Sequence, residues 1–129
     1  MFSFEPNEEQ KMLIDTIKRF ASSDLRPAAH DADEERGYSL KKIEKGWELG
    51  ILQASIPDEY SGFGEYSAVT GVLAAEEMAW GDLAGALAVM TPALFAVPIL
   101  LAGSHEQKME SYVNNIIKVR KVAFSKLVH

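Results

Sequence analysis

The chain has 129 residues, enough for one hydrophobic core and too few for two. Its 47% apolar and 25% charged residues are ordinary for a soluble globular protein, and a net charge of −6 argues against nucleic acid and against an anionic membrane surface as partner. The absence of cysteine removes disulfides, thiolate chemistry and the preferred ligand of zinc, which fits a cytoplasmic protein. The start, Met1-Phe-Ser-Phe-Glu-Pro, has no basic or apolar leader region, so no signal peptide is expected.

The pattern predicts an all-α domain of about six helices. The first begins at Asn7, whose side chain accepts the Gln10 amide while Gln10 reaches back in a capping box. Leu13, Ile17, Phe20, Ala21 and Leu25 recur at helical spacing as its buried stripe. At Pro27 the chain either kinks or stops, because proline lacks the backbone donor. Asp31 to Glu35, with Gly37, read as a solvated loop.

Ser39 caps a second helix with Leu40, Ile43 and Trp47 on one face and Gly50 as terminator. A short apolar piece, Ile51 to Ile56, ends at Pro57 and leads into a glycine-containing loop to Gly64. Ser67 opens a third helix to about Trp80, with Val69, Val72, Leu73 and Ala79 as candidate core. Asp82 caps a fourth, and Thr91-Pro92 starts a fifth that Gly103 closes. Ser104 and Gln107 form a second capping box for a sixth helix carrying Met109, Tyr112, Val113 and Ile116. Val119 to Phe124 is β-prone and is expected to start a short strand.

From Leu83 to Gly103 no residue is charged, a length that could span a bilayer. Pro92, Pro98 and Gly85 break the run, and no basic cluster flanks it, so a pair of buried core helices is the better account. The three histidines, at 30, 105 and 129, are too dispersed for a metal site. Glu76 and Glu77 point about 100° apart on a helix, so they cannot both face one substrate. One is expected to face inward toward the preceding loop and the other to be solvated. Gly62 and Gly64 follow a proline turn without a preceding long strand, which favours a structural turn with positive φ over a phosphate cradle.

The run Trp47-Glu-Leu-Gly-Ile-Leu-Gln-Ala-Ser-Ile-Pro57-Asp-Glu-Tyr-Ser-Gly-Phe-Gly64, followed by a helix carrying Glu76-Glu77, resembles the amino-terminal helical domain of the acyl-CoA dehydrogenases. Gly103-Ser-His-Glu-Gln-Lys108 is similar to that family's Gly-x-x-x-Gln-Lys helix start, and the resemblance extends from Phe4 to about Phe124. Ser61 stands where the family's first loop glycine is usual.

The resemblance implies an orthogonal helical domain over residues 1–118, with 119–129 as the start of a β-domain or a tail. Family members remove two hydrogens from acyl-CoA thioesters. A glutamate of a further helical domain takes the α proton and FAD accepts the β hydride. Aligned on Pro98-Ile-Leu-Leu-Ala-Gly103, Ala86, Leu87 and Met90 fall where members contact the acyl chain; ordinary core is the competing reading. Phe124 matches the aromatic that opens the flavin-contacting strand, but Ser-Lys-Leu-Val-His129 does not continue that motif, as after a truncation, a shifted frame or a split gene.

Three functions follow. The chain is part of a dehydrogenase, inactive alone, with no catalytic residue and no flavin of its own. Or it is a stand-alone interaction module. Or it belongs to a related flavin monooxygenase or nitroalkane oxidase. In either of the first two, self-association or a completing polypeptide is the expected partner, because an apolar face must be covered.

Overall fold

A computed structural model describes residues 5–60, 62 and 67–113, and every regular element among them is helical. The α-helices are α1 (Glu8–Phe20), α2 (Ala29–Glu34), α3 (Leu40–Trp47), α4 (Ala68–Gly81), α5 (Leu83–Ala102) and α6 (His105–Lys108). The expected strand at 119–124 lies outside the described residues, as does Ile116. Backbone contacts divide the chain into two units, one from Met1–Ile51 and Ser67–Val89, the other from Leu52–Tyr66 and Met90–His129.

In the first unit, α1 starts as its sequence dictates. Asn7 Oδ1 accepts the Gln10 amide at 2.8 Å, and Gln10 Oε1 accepts the Asn7 amide at 2.9 Å. Glu8 and Glu9 in the first turn and Lys18 and Arg19 in the last complement the helix dipole. Ile17, Phe20, Ala21 and Leu25 are buried, each large side chain contributing about 1.5–3 kcal/mol of transfer free energy. Pro27 neither stops the chain nor leaves it α-helical. A π turn at Ala21–Leu25 and a 3-10 turn at Arg26–Ala28 carry helical backbone past the residue that cannot donate to the ladder.

The acidic stretch expected as a loop instead forms α2 as far as Glu34, followed by a turn with Arg36 at φ 61°. Its acidic side chains, at 31 and 33–35, remain exposed, so charge repulsion is screened by water and helical backbone costs little there. Ser39 holds the cap position of α3, but its side chain makes no capping bond. Ile43 and Trp47 are buried, and the Trp47 indole donates to the Val89 carbonyl at 3.0 Å. Gly50, at φ 77°, turns the chain out of the helix as expected.

Ser67 caps α4 through the Thr70 amide at 3.3 Å. α4 packs on α1, and Gln10 Nε2 donates to Thr70 Oγ1 at 2.8 Å between them. Its buried residues are Ala74, Met78 and Gly81, whereas Val69 and Val72, expected in the core, are 39% and 66% exposed. Most of this helix is apolar, and its charges are confined to adjacent Glu76 and Glu77, so apolar spacing alone did not select its inner face. Gly81 is part of the reason: a Cβ there would meet the Ala21 carbonyl at 2.8 Å, so helix and chain approach as only glycine permits.

In the second unit, Leu52 to Tyr60 forms turns, with 3-10 stretches at Gln53–Ser55 and Asp58–Tyr60. Ile56, Tyr60 and Ala96 make its core with Leu52, Ile99 and Leu100. Gly62 has no positive φ. It is required because a Cβ would collide with the Ile56 carbonyl, while its amide closes the turn onto the Pro57 carbonyl at 3.2 Å. The Ser104–Gln107 capping box forms as expected, and α6 widens into a π turn at Met109–Val113.

The clearest departure is α5, one helix of 20 residues where two were expected. Its first residues, through Val89, belong to the first unit and the remainder to the second. Pro92 and Pro98 both lie inside it. Each proline costs about 3 kcal/mol in an isolated helix, but burial of Ala86, Ala88, Val89, Thr91, Pro92 and Ala96 holds the backbone helical.

Candidate functional site

α5 positions all three residues assigned to an acyl-chain contact. Asp82 fixes its start, accepting the Gly85 amide at 2.6 Å, and the Ala86 amide bonds the Asp82 carbonyl at 2.9 Å. At 100° per residue, Ala86, Leu87 and Met90 share a sector about 100° wide. Ala86 is 3% exposed, Leu87 is 60% exposed and Met90 lies between. They therefore form the edge of the helix where core gives way to an open apolar surface. Only Ala86 behaves as ordinary core.

That surface carries no charged side chain from Leu83 to Ala102. It can accept hydrocarbon or another helix and can neither take nor give a proton. Among the described residues α5 is also the one helix long and apolar enough to cross a membrane, although 39% of its most apolar stretch is buried inside the protein.

The other candidates disperse. Glu76 is exposed and Glu77 half-buried, while the loop preceding their helix lies mostly outside the described residues. Asp58 and Glu59 are both exposed. His30 stands on the surface, 3.6 Å from Glu34. His105 is exposed at the first turn of α6, with Nδ1 3.1 Å from the hydroxyl of buried Tyr60. Phe124 and His129 lie outside the described residues.

Among the described residues three groups have shifted acidities, all in polar supports that sequence spacing does not reveal. Burial raises the Asp24 pKa, but hydrogen bonds from Lys45 and Ser23 and the charges of Lys45 and Lys42 outweigh it and hold the carboxyl below its ordinary value. Burial, and then Asp82, push the Tyr38 hydroxyl well above its ordinary value. Burial and the neighbouring Glu59 raise Tyr60. A groove beside α3 sets Lys41, Lys42 and Lys45 among Asp24, Glu44 and Glu48, so its charges balance. Asp24 and Lys45 are 21 residues apart, and Trp47 and Val89 are 42 apart, so neither pairing left a local signal.

The family description "Acyl-CoA dehydrogenase, N-terminal domain" matches residues 7–118. The short-chain specific acyl-CoA dehydrogenases, mitochondrial, of Bos taurus and Sus scrofa are 34% and 36% identical to the chain over 110 residues. Those matches cover 84% of this chain and 26% of each relative. A probable medium-chain specific acyl-CoA dehydrogenase 2, mitochondrial, of Caenorhabditis briggsae is 32% identical over 106 residues, 82% of this chain and 26% of the relative. A solved chain from a study titled for the electron transferring flavoprotein of Acidaminococcus fermentans superposes with a TM-score of 0.75 at 28% identity, covering 86% of this chain and 29% of that one. The chain thus spans about a quarter of the length of the curated relatives it matches. It belongs to the acyl-CoA dehydrogenase family, and the part of that family it matches is the amino-terminal helical domain.

Proposed function

We propose that this chain supplies one wall of the acyl-chain slot in a flavin-dependent acyl-CoA dehydrogenase and is inactive by itself. The observation that carries the reading is the α5 edge, where Ala86, Leu87 and Met90 pass from buried to open on a helix without charge. Such a wall selects substrates by fit: a methylene in an apolar pocket is worth about 1–3 kcal/mol of discrimination. Bulk at Leu87 and Met90 sets the length of chain admitted.

FAD supplies the redox chemistry in this family by accepting the hydride. Phe124, the residue assigned to flavin contact, lies outside the described residues, so no step is derived through the cofactor. The reading places the catalytic base and most of the flavin site on a separate segment or a completing polypeptide. The exposed apolar residues of α5 favour a second reading as an interaction module. The related monooxygenase and oxidase chemistries would need the same completing domains. The cytoplasm remains the proposed compartment, on the cysteine-free composition, although the relatives above are named as mitochondrial.

The test replaces the matching quarter of the Sus scrofa short-chain enzyme with residues 1–118. The chimera is expected to oxidise acyl-CoA, and Leu87→Trp is expected to shorten the preferred acyl chain. A chimera that binds FAD and turns over, with chain-length preference unmoved by substitutions at Leu87 and Met90, would refute the assignment. In parallel the isolated chain is titrated with FAD; saturable binding would refute its dependence on a completing segment.

A further inference from the structure

Two glycines set how closely the first half of α5 lies on the rest of its unit. From Leu83 to Val89 the helix belongs to the first unit, together with α1 and α3. A Cβ added at Gly46 of α3 would stand 2.5 Å from Val89 Cγ2, 3.0 Å from Val89 Cγ1 and 3.3 Å from Phe20 Cζ. One added at Gly85 of α5 would stand 2.8 Å from Leu25 Cδ2 and 3.1 and 3.2 Å from two ring atoms of Tyr38. Carbon atoms in contact prefer about 3.5–4.0 Å, so a methyl at either position must displace something, by about 1 Å at Gly46.

The neighbours have little room to yield. Phe20, Leu25 and Val89 are all buried, Leu25 completely. A valine in a helix keeps one strongly preferred χ1, so Val89 cannot swing aside without leaving it. Hydrogen bonds meanwhile draw α5 onto these contacts. The Trp47 indole donates to the Val89 carbonyl at 3.0 Å. The Tyr38 hydroxyl, 3.4 Å from the Leu25 carbonyl, is shared between it and Asp82, whose carboxylate caps α5. The bonds pull, and the absent side chains of the two glycines set where the helix stops.

Both stops act on one face. Residues 85 and 89 lie about 40° apart around the helix, and Leu87 lies about 160° from each. A methyl at either glycine therefore presses α5 in the direction of Leu87, which the core of the first unit leaves outside. We propose that Gly46 and Gly85 are positioning residues for acyl-chain length: by letting α5 settle back, they set the depth of the slot from the side the substrate never touches. This rests on the slot reading above and names what adjusts it.

The first test uses the chain itself and is independent of that reading. In crystal structures of the parent and Gly46→Ala, the Leu87 Cα is expected to lie about 0.5–1 Å farther from α3 in the variant. Adding Val89→Ala, which removes the obstructing methyls, is expected to bring it back. A helix that stays in place while Val89 or Phe20 turns aside would overturn the proposal.

The second test uses the chimera with the Sus scrofa enzyme. Gly46→Ala and Gly85→Ala are each expected to lower kcat/KM for hexanoyl-CoA relative to butyryl-CoA about fivefold, chiefly through KM for the longer chain. Val89→Ala is expected to reverse the effect of Gly46→Ala. Gly85→Ala also gains helix propensity, which makes it the variant to read should Gly46→Ala fail to fold. An equal fall for both substrates, or FAD lost from both variants, would give the glycines a folding role alone and overturn the proposal. If Leu87→Trp shifts the preference and neither glycine variant does, the inference fails and the slot reading stands. If Leu87→Trp is silent as well, both fail.

Discussion

Asp24 shows how a residue's environment sets its acidity here. Its carboxylate accepts from Ser23 Oγ at 2.8 Å and pairs with Lys45, joining the end of α1's helical run to α3 within one unit. Burial disfavours the charged form, yet Lys45, Ser23 and Lys42 prevail and the pKa falls below 3.8. A lowered folded-state pKa means that the unfolded chain binds the proton more readily. The resulting stability is therefore full above the ordinary carboxylate value and is lost as pH falls through the folded one. Asp24→Asn is expected to cost about 0.5–1 kcal/mol at pH 7, the range of a well-placed surface pair. At a pH low enough to protonate Asp24 in the folded chain, the variant and the parent should converge. Urea unfolding at both pH values measures this, and an equal loss at both would show that packing and not charge carries the contribution.

At the scale of elements, what the sequence discloses depends on whether the deciding interaction is local. The caps at Asn7, Ser67 and Ser104 join residues three apart, and all three were legible. The buried stripe of α1 was legible too, because its charged residues mark the other side. In α5 that contrast is missing, and in α4 it is confined to the adjacent Glu76 and Glu77. Val69 and Val72 were therefore placed inward when Ala74 and Met78 are the buried ones. The candidate site was half legible for the same reason: the resemblance located Ala86, Leu87 and Met90, but only the fold shows which of them is open.

The two prolines of α5 differ in a way that gives an element-scale prediction. Neither can donate to the carbonyl four residues earlier, so each removes a helix bond. Pro92 fills buried space, whereas Pro98 is exposed. Replacing Pro92 restores a donor and opens a cavity, and the effects oppose each other. Replacing Pro98 restores the donor with no cavity. Pro98→Ala is expected to stabilise the chain by about 1–2 kcal/mol, within the roughly 3 kcal/mol that separates proline from alanine in helix interiors. A denaturation midpoint that rises for Pro98→Ala and stays level or falls for Pro92→Ala checks the contrast. A fall for both would mean that the proline ring at 98 makes contacts worth more than the missing bond.

At the scale of the molecule, charge and apolar surface act against each other. Each copy carries −6 at pH 7, so two copies repel as they approach, while the self-association expected through an apolar face such as that of α5 involves no ion pair for salt to weaken. The Debye length shortens from about 10 Å at 0.1 M salt to about 3 Å at 1 M. Added salt therefore removes the repulsion and leaves the apolar attraction, so the pairing should tighten several-fold between 0.05 and 0.5 M sodium chloride. Lowering the pH toward the isoelectric point near 5.0 should act in the same direction, by protonating carboxylates and reducing the net charge. An assembly held by charged contacts would respond to salt with the opposite sign. Sedimentation equilibrium across a salt series separates the two, since a dissociation constant that rises with salt would place the contact away from the uncharged face of α5.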